Sequence, residues 1–159
     1  MPLPPDNQAS SGLVVLREAT AEDAFLAFEW RNDPRVRSQA HDSGALTFSG
    51  HTDWWNASVT DPARHLLIAV EGGSPVGVLR LDLTGSSAVV SIYLDPAQTG
   101  RGLGRQTLLA GEDYARELGL QTLIASIKQT NAPSKSAFSG AGYDRSGDFW
   151  VRKLHPPAA

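Results

Sequence analysis

The sequence predicts one α+β domain built on a mixed, mostly antiparallel central sheet with about four helices against it. Three observations carry that expectation. Three β-type runs follow one another at residues 65–71, 75–83 and 88–94, separated by Gly72-Gly73-Ser74 and Gly85-Ser86-Ser87, which is turn chemistry between antiparallel neighbours. Residues 101–118 then place Leu103, Leu108, Leu109 and Tyr114 on one side of a helix that Gly119 stops. Beyond it the chain alternates strand, helix and strand, the pattern of crossover connections.

In chain order, residues 13–17 form a β-rich run, and Thr20 is a cap-type hydroxyl ahead of helical apolar spacing at Ala24, Phe25 and Phe28. Pro34 limits that helix near Asn32-Asp33, because the residue before a proline avoids helical backbone. An irregular segment leads to a second helix at residues 49–58, and the meander and the long helix follow. Residues 121–127 are the next strand. Residues 132–141 form a helix with its proline in the first turn, and Gly142 ends it before a last strand at 149–154. Residues 1–12, rich in Pro, Asn, Ser and Gly and without a period, read as a flexible lead-in, and 155–159 as a flexible tail. A single folded unit at 13–154 remains.

Composition excludes several function classes. A length of 159 residues fits one domain, and 41% hydrophobic with 19% charged residues is ordinary for a globular chain. Seventeen acidic against fourteen basic side chains leave a net charge of −3, so no global basic field exists to hold a nucleic acid or an anionic membrane, and neither is an expected partner. The absence of cysteine excludes a disulfide scaffold, thiolate metal sites and a cysteine nucleophile, and no metal site is expected. No apolar run approaches the roughly 20 residues that span a bilayer, and Met1-Pro2-Leu3-Pro4-Pro5-Asp6 lacks the charged and apolar regions of a leader, so a cytoplasmic location is expected.

The most informative stretch runs from Val89 to Gly104, a buried-type strand passing through a glycine-dense turn into the long helix. Gly100, Gly102 and Gly104 allow positive φ and bare backbone, so successive N–H groups can converge on an anion at a helix N-terminus. Arg101 and Arg105 add charge at its edge, which suits a polyphosphate. The plainer reading, a tight strand-to-helix turn and nothing more, stays open on the loop alone. No Gly-Lys-Ser/Thr follows, so this is not a Walker loop, and the preceding strand sits in a meander rather than in a dinucleotide-binding βαβ unit.

This segment resembles the acetyl-CoA motif of the GNAT acetyltransferase superfamily, Gln/Arg-x-x-Gly-x-Gly/Ala after a strand ending in Val-x-Pro. Leu94-Asp95-Pro96 and Gly102-Leu103-Gly104 match it, while Thr99 stands where Gln or Arg is usual, with Gln98 one residue earlier. That departure removes one side-chain contact and leaves the backbone cradle. Downstream, Asn131, Ser134, Ala137, Phe138, Gly142 and Tyr143 resemble the family's Asn-x-x-Ser/Ala, Tyr and Gly-Phe signature, and residues 16–23 are similar to its opening strand and helix cap.

The resemblance implies a GNAT-like fold and acetyl-CoA as cosubstrate, held by Leu94, Thr99, Gly100, Arg101, Gly102, Leu103, Gly104 and Asn131. It also implies that the strand at 121–127 splays away from the one at 88–94, and that the pantetheine arm pairs with the latter like an added strand. The thioester carbonyl would then lie near the backbone N–H of about Leu94. Transfer to an amine would be direct, with no acyl-enzyme. The family's usual acid is a tyrosine seven residues after the asparagine, and that place is Phe138, which cannot donate a proton. Tyr93, Ser134, Tyr143 or a water is left for the task, unless the thiolate departs unassisted, and Tyr93 and Ser134 are the catalytic candidates. Tyr93 reads equally well as an aromatic strand residue that fills core.

Acceptor choice in this family lies in the first two helices and their connection. Residues 29–37 and 51–55 gather Trp30, Arg31, Asn32, Arg35, Arg37, His51, Trp54 and Trp55, a mixture in which arginine can read phosphate and indole can stack a base, or in which the tryptophans are core and the arginines a solvated face. Trp-Arg-Asn, a following Val-Arg and then His-x-x-Trp resemble the acetyltransferases of pseudaminic-acid-type biosynthesis, which act on UDP-linked 4-amino sugars. On that resemblance Arg31, Asn32, His51 and Trp54 surround a nucleotide-sugar, with His51 able to relay the amine proton. The alternatives are a protein N-terminal, ribosomal-protein or aminoglycoside acetyltransferase, which Asp42 and Asp53 would suit, and a non-catalytic acetyl-CoA-binding module. The expected partner is a small-molecule amine acceptor, with a homodimer left open.

Overall fold

A computed structural model of the chain describes residues 13–154. The expected lead-in at 1–12 and tail at 155–159 lie outside the described residues. The strands are β1 (Val14–Glu18), β2 (Arg64–Glu71), β3 (Ser74–Thr84), β4 (Ser87–Leu94), β5 (Thr122–Ala125), β6 (Asp144–Ser146) and β7 (Phe149–Lys153). The α-helices are α1 (Ala24–Asn32), α2 (Pro34–Arg37), α3 (Phe48–Val59), α4 (Leu103–Glu117) and α5 (Ala132–Gly140), with single 3₁₀ turns at Ala21–Asp23 and Pro96–Gln98. One sheet in the order β1-β2-β3-β4-β5-β7-β6 holds all seven strands, and only β4 and β5 run parallel. This is the expected mixed α+β architecture.

Three differences from the sequence reading have local causes. The described residues form five α-helices rather than about four, because Pro34 ends α1 and also opens α2: proline fits the first helical position, and the Asp33 carboxylate accepts the Arg35 N–H at 2.8 Å as its cap. Strand β6 is three exposed residues turned back on β7 through Gly147, too short and too polar to show an alternating pattern. Strand β5 ends at Ala125, two residues before the expected limit, and its C-terminal neighbours take no place in the ladder.

Alternation along the strands sorts the core into two layers. Leu67, Leu79, Leu81 and Val90 face Leu108 and Ala115 of α4 and Phe138 of α5. Leu66, Ile68 and Val78 face the opposite way, onto Ala27 and Trp30 of α1 and the fully buried Trp55 of α3, whose indole N–H donates to the Thr20 carbonyl at 2.8 Å. Trp30 and Trp55 are therefore core anchors. The face toward α1 and α3 also carries Arg64, Arg80 and Asp82, with Asp82 paired to both arginines at 2.6 and 3.0 Å.

At the end of the β3–β4 ladder, Gly77 stands opposite Leu94. A Cβ at this position would lie 2.9 Å from the Tyr93 carbonyl and 2.7 Å from Leu94 Cδ2, so only glycine permits this approach of the two strands. Gly77→Ala should destabilise the fold by about 1–3 kcal/mol, the usual cost of forced overpacking, and lower Tm in thermal unfolding. An unchanged Tm would show that β4 yields freely there.

Candidate active site

Strands β4 and β5 pair at only three levels, ending at Val89 opposite Ile124. β4 continues to Leu94 on its β3 side, so its β5 side is left open beyond Val90, whose N–H closes the last bridge to Ile124. The direction of the free groups follows from the antiparallel alternation. The Asp95 N–H donates to the Val76 carbonyl at 2.8 Å, which turns residues of odd number toward β3 and turns Val90, Ile92 and Leu94 outward. Ser86 confirms the parity, since its carbonyl accepts from Gln121 at the start of β5. Leu94 thus presents its N–H and C=O to the gap.

A cleft of about 740 Å³ runs through this gap. One wall is built from Val90, Ile92, Leu94, Ala137 and Phe138, and the other from Arg31, Trp54, Arg80, Ser91 and Tyr93. The cleft therefore joins the two faces of the sheet. Its mouth reaches Thr99, Gly100 and Gly104. Gly100 and Gly102 have φ of 81° and 75°, a left-handed backbone that favours glycine, and a Cβ at either would meet no atom within 4 Å. Gly102 is the N-cap of α4, so bare amides and a helix N-terminus open together. Gly104 does something else: a Cβ there would come within 3.2 Å of Ala137 Cβ, so it sets how closely α4 and α5 approach beneath the cleft.

The connection between α2 and α3 crosses the gap like a strap. Lys128 Nζ donates to the Ser38 carbonyl at 2.9 Å, Asn131 Nδ2 donates to the Gln39 carbonyl at 3.2 Å, and His41 Nε2 lies 3.0 Å from Ser126 Oγ. Residues 126–131 hold the strap from the β5 side.

The sequence-derived candidates fall into two groups. The structure brings Tyr93, Leu94, Thr99, Gly100, Gly104, Asn131, Ser134, Arg31 and Trp54 to the cleft. Burial pushes the Tyr93 phenol up, Arg31 and Arg80 offsetting it only partly, so the group stays protonated. Ser134 lies in the first turn of α5, where its N–H donates to Asn131 Oδ1 at 3.0 Å, making Asn131 both helix cap and strap anchor. Arg31 Nη2 donates to the Asp42 carbonyl at 3.1 Å, while Arg31 Nη1 is buried without a hydrogen-bond partner. Trp54 stacks on Arg64 and Arg80, whose guanidinium carbons lie 5.2 and 5.3 Å from the ring centroid.

The others, Asp42 apart, do not line the cleft. Arg101 turns to the Glu71 carboxylate at 2.8 Å and to Gln98 at 2.6 Å, away from the turn it was expected to charge. Neither Gly102 nor Leu103 is part of the lining, Leu103 being a core residue beside Val76. Asn32 is spent on the Leu46 N–H at 2.8 Å. His51 is buried among Phe28, Trp54 and Trp55, and burial, with Arg31 nearby, lowers its pKa, so it stays neutral behind the wall. Asp53 is exposed and outside the lining, while Asp42 lies within it. The residues missed were Arg80, His41, Ser126 and Lys128, which no local motif marks. The alternation that puts Arg80 on the same face as Val78 was the one available signal.

Gly102→Val should weaken coenzyme A binding at least tenfold by calorimetry, since a β-branched residue resists the left-handed conformation that points these amides outward. An unchanged affinity would remove the glycine turn from the site.

Residues 24–143 match the acetyltransferase (GNAT) family. Over 112 residues the chain is 28% identical to the N-alpha-acetyltransferase RimI of Mycobacterium tuberculosis, covering 65% of this chain and 69% of that one. It is 39% identical over 57 residues to the mycothiol acetyltransferase of Rhodococcus erythropolis, a match that spans 36% of this chain and only 19% of that protein. Among solved structures, the aminoglycoside acetyltransferase AAC(6')-Ib in complex with ribostamycin and coenzyme A shares the fold with a TM-score of 0.80 at 18% identity, over 89% of this chain and 93% of that one. Spermidine N-acetyltransferase from Vibrio cholerae, in complex with CoA and spermine, shares it with a TM-score of 0.77 at 17% identity, over 87% and 91%. The interrupted β4–β5 ladder, the glycine turn before α4 and the family match over most of the described residues lead to one conclusion: the chain belongs to the GNAT acetyltransferase family.

Proposed function

We propose that the chain transfers acetyl from acetyl-CoA to the amine of an acceptor that also carries an anionic group, and that a UDP-linked 4-amino sugar is that acceptor. The observation that carries the anion is Arg31 Nη1, a buried donor without a partner in the wall of the cleft. A buried donor left unmade costs about 1–3 kcal/mol, and a phosphate or carboxylate oxygen would satisfy it. Arg31, Arg35, Arg80 and Lys128 line the cleft against the single carboxylate of Asp42, although Arg35 is engaged by Asp33 and Arg80 by Asp82. Such a wall repels polycations such as aminoglycosides and spermine. Trp54 supports this reading through Arg80, which it holds in place, rather than as a platform for the base.

The outward amides of β4, the open glycine turn and the cleft between them fit acetyl-CoA. When bound, it supplies a thioester whose acetyl group passes to the amine. The Leu94 N–H faces the gap, where it can stabilise the oxyanion that forms. Tyr93 keeps its proton for a departing sulfur, the task that Phe138 cannot perform. Phe138 instead packs edge-on against Tyr143, ring centroids 4.8 Å apart, with only 3% of its surface exposed. A nucleotide-linked amine and a coenzyme thioester meet in the cytoplasm, which is the location we infer. Among the described residues no helix is long and apolar enough to cross a membrane.

The relative RimI favours a second reading, transfer to the N-terminus of a protein, for which an acidic peptide would meet the same arginines. A panel of UDP-4-amino-4,6-dideoxy sugar, peptides with free N-termini, aminoglycosides and spermidine, read by free CoA release, separates the two. The sugar should turn over fastest, and turnover of peptides alone would overturn the sugar assignment. Arg31→Ala should raise the acceptor KM about 10- to 100-fold and leave the acetyl-CoA KM unchanged, the loss expected for a charge-assisted hydrogen bond. Tyr93→Phe should lower kcat roughly tenfold or more with both KM values preserved, as removal of a general acid does. A wild-type rate in that variant would leave the sulfur to depart unassisted.

A further inference from the structure

An amine acceptor arrives as an ammonium ion and cannot attack until it has lost a proton, yet neither Tyr93, held protonated, nor Ser134 can take one. We propose that His41, paired with Ser126, is the group that accepts it. The proposal rests on the acetyl-transfer reading and not on the identity of the acceptor.

Three observations carry it. First, among the described residues His41 is the one imidazole that lines the cleft. His51 is sealed behind the wall by its aromatic neighbours, and His65 is bonded through Nδ1 to the Tyr114 hydroxyl at 3.0 Å, elsewhere on the molecule. Second, the level is right. Ser126 follows directly on β5, two residues past Ile124, where the ladder to β4 stops, so it stands on the β5 wall just where Val90, Ile92 and Leu94 begin to face the gap. His41 reaches that wall from the strap. Third, the partners serve both protonation states. His41 Nε2 lies 3.0 Å from Ser126 Oγ and 3.1 Å from the Ser126 carbonyl oxygen. A neutral ring can accept the hydroxyl proton at Nε2, and a protonated ring can donate from the same nitrogen to the carbonyl. Gaining a proton therefore costs the ring no partner and the strap no fastening.

The step balances as follows. One ammonium proton passes to His41 Nε2, directly or through Ser126 Oγ, and the freed lone pair forms the C–N bond to the thioester carbonyl carbon. The C–S bond breaks, the sulfur takes a proton from Tyr93, and the second proton of the nitrogen restores the phenol. His41 is exposed and releases its proton to solvent. The competing base is Asp42, the neighbouring carboxylate in the lining, whose Oδ1 accepts the Gly44 N–H at 3.1 Å.

The test uses the full chain and whichever amine of the panel it acetylates fastest. His41→Gln keeps an amide donor for the Ser126 carbonyl and holds the strap, but takes no proton. It should lower kcat about 100-fold or more with the acetyl-CoA KM unchanged, the scale of a lost general base. Imidazole added to His41→Ala should restore the rate in proportion to its concentration. A His41→Gln rate within threefold of wild type overturns the assignment. So does a loss in His41→Ala that imidazole cannot reverse, which would make His41 a fastener of the strap, or an equal loss in Asp42→Asn, which would make the carboxylate the base. If another amine turns over and the nucleotide-sugar does not, the acceptor reading falls and the comparison of His41 variants stands on that amine.

Discussion

The molecule is organised around an unfinished ladder. Backbone amides inside a sheet normally find a neighbouring strand, because a buried unpaired N–H or C=O costs as much as a lost hydrogen bond. Strands β4 and β5 satisfy that rule for three levels and then abandon it. The cause is the shortness of β5, which stops at Ala125, while β4 is carried on by its ladder to β3. Everything chemical follows from the opening: the direction of the Leu94 amide, the cleft that connects both faces of the sheet, and the need for a strap across it. The close approach at Gly77 and the small pair Gly104 and Ala137 pack the surroundings of the opening tightly while its edge stays bare.

The two faces divide the labour. Toward α4 and α5 the opening is apolar and leads to the glycine turn. Toward α1 and α3 it is cationic, with Trp54 stacked against Arg64 and Arg80, and Asp82 binding both arginines. The stack is partly buried, which makes its hydrogen bonds stronger than those of a solvated surface pair, and it fixes Arg80 without neutralising Arg31. The structural neighbours that hold ribostamycin and spermine share this scaffold at 17–18% identity, so the fold is common and the acceptor wall is where such chains can differ.

Much of this was legible in the chain itself. The meander, the long helix and the glycine turn announce themselves because each rests on a local rule: turn residues between apolar runs, a repeat of 3.6, and glycine where φ is positive. Gly100 and Asn131 line the cleft, the one in a turn that needs positive φ and the other as the cap of α5. What failed was long-range. Asn32 and His51 sit beside Arg31 and Trp54 in sequence, but helix geometry turns Asn32 onto the Leu46 amide and His51 into an aromatic nest. Arg101, in the middle of the glycine turn, is drawn off by Glu71, a residue thirty positions away in a different strand. His41 and Ser126 are 85 residues apart, and no spacing rule could pair them. Local pattern finds elements and turns; side-chain direction depends on partners that only the folded chain supplies.

An edge left bare for an extended visitor links occupancy to persistence. A molecule that docks along β4 completes the sheet and binds only the folded chain, so by mass action it adds about 2.7 kcal/mol at a hundredfold excess over its Kd. Amide protons of Ile92 and Leu94 would then exchange with solvent far more slowly in the loaded protein than in the empty one. The lifetime of the folded chain against unfolding and proteolysis would then rise with the occupancy of that edge.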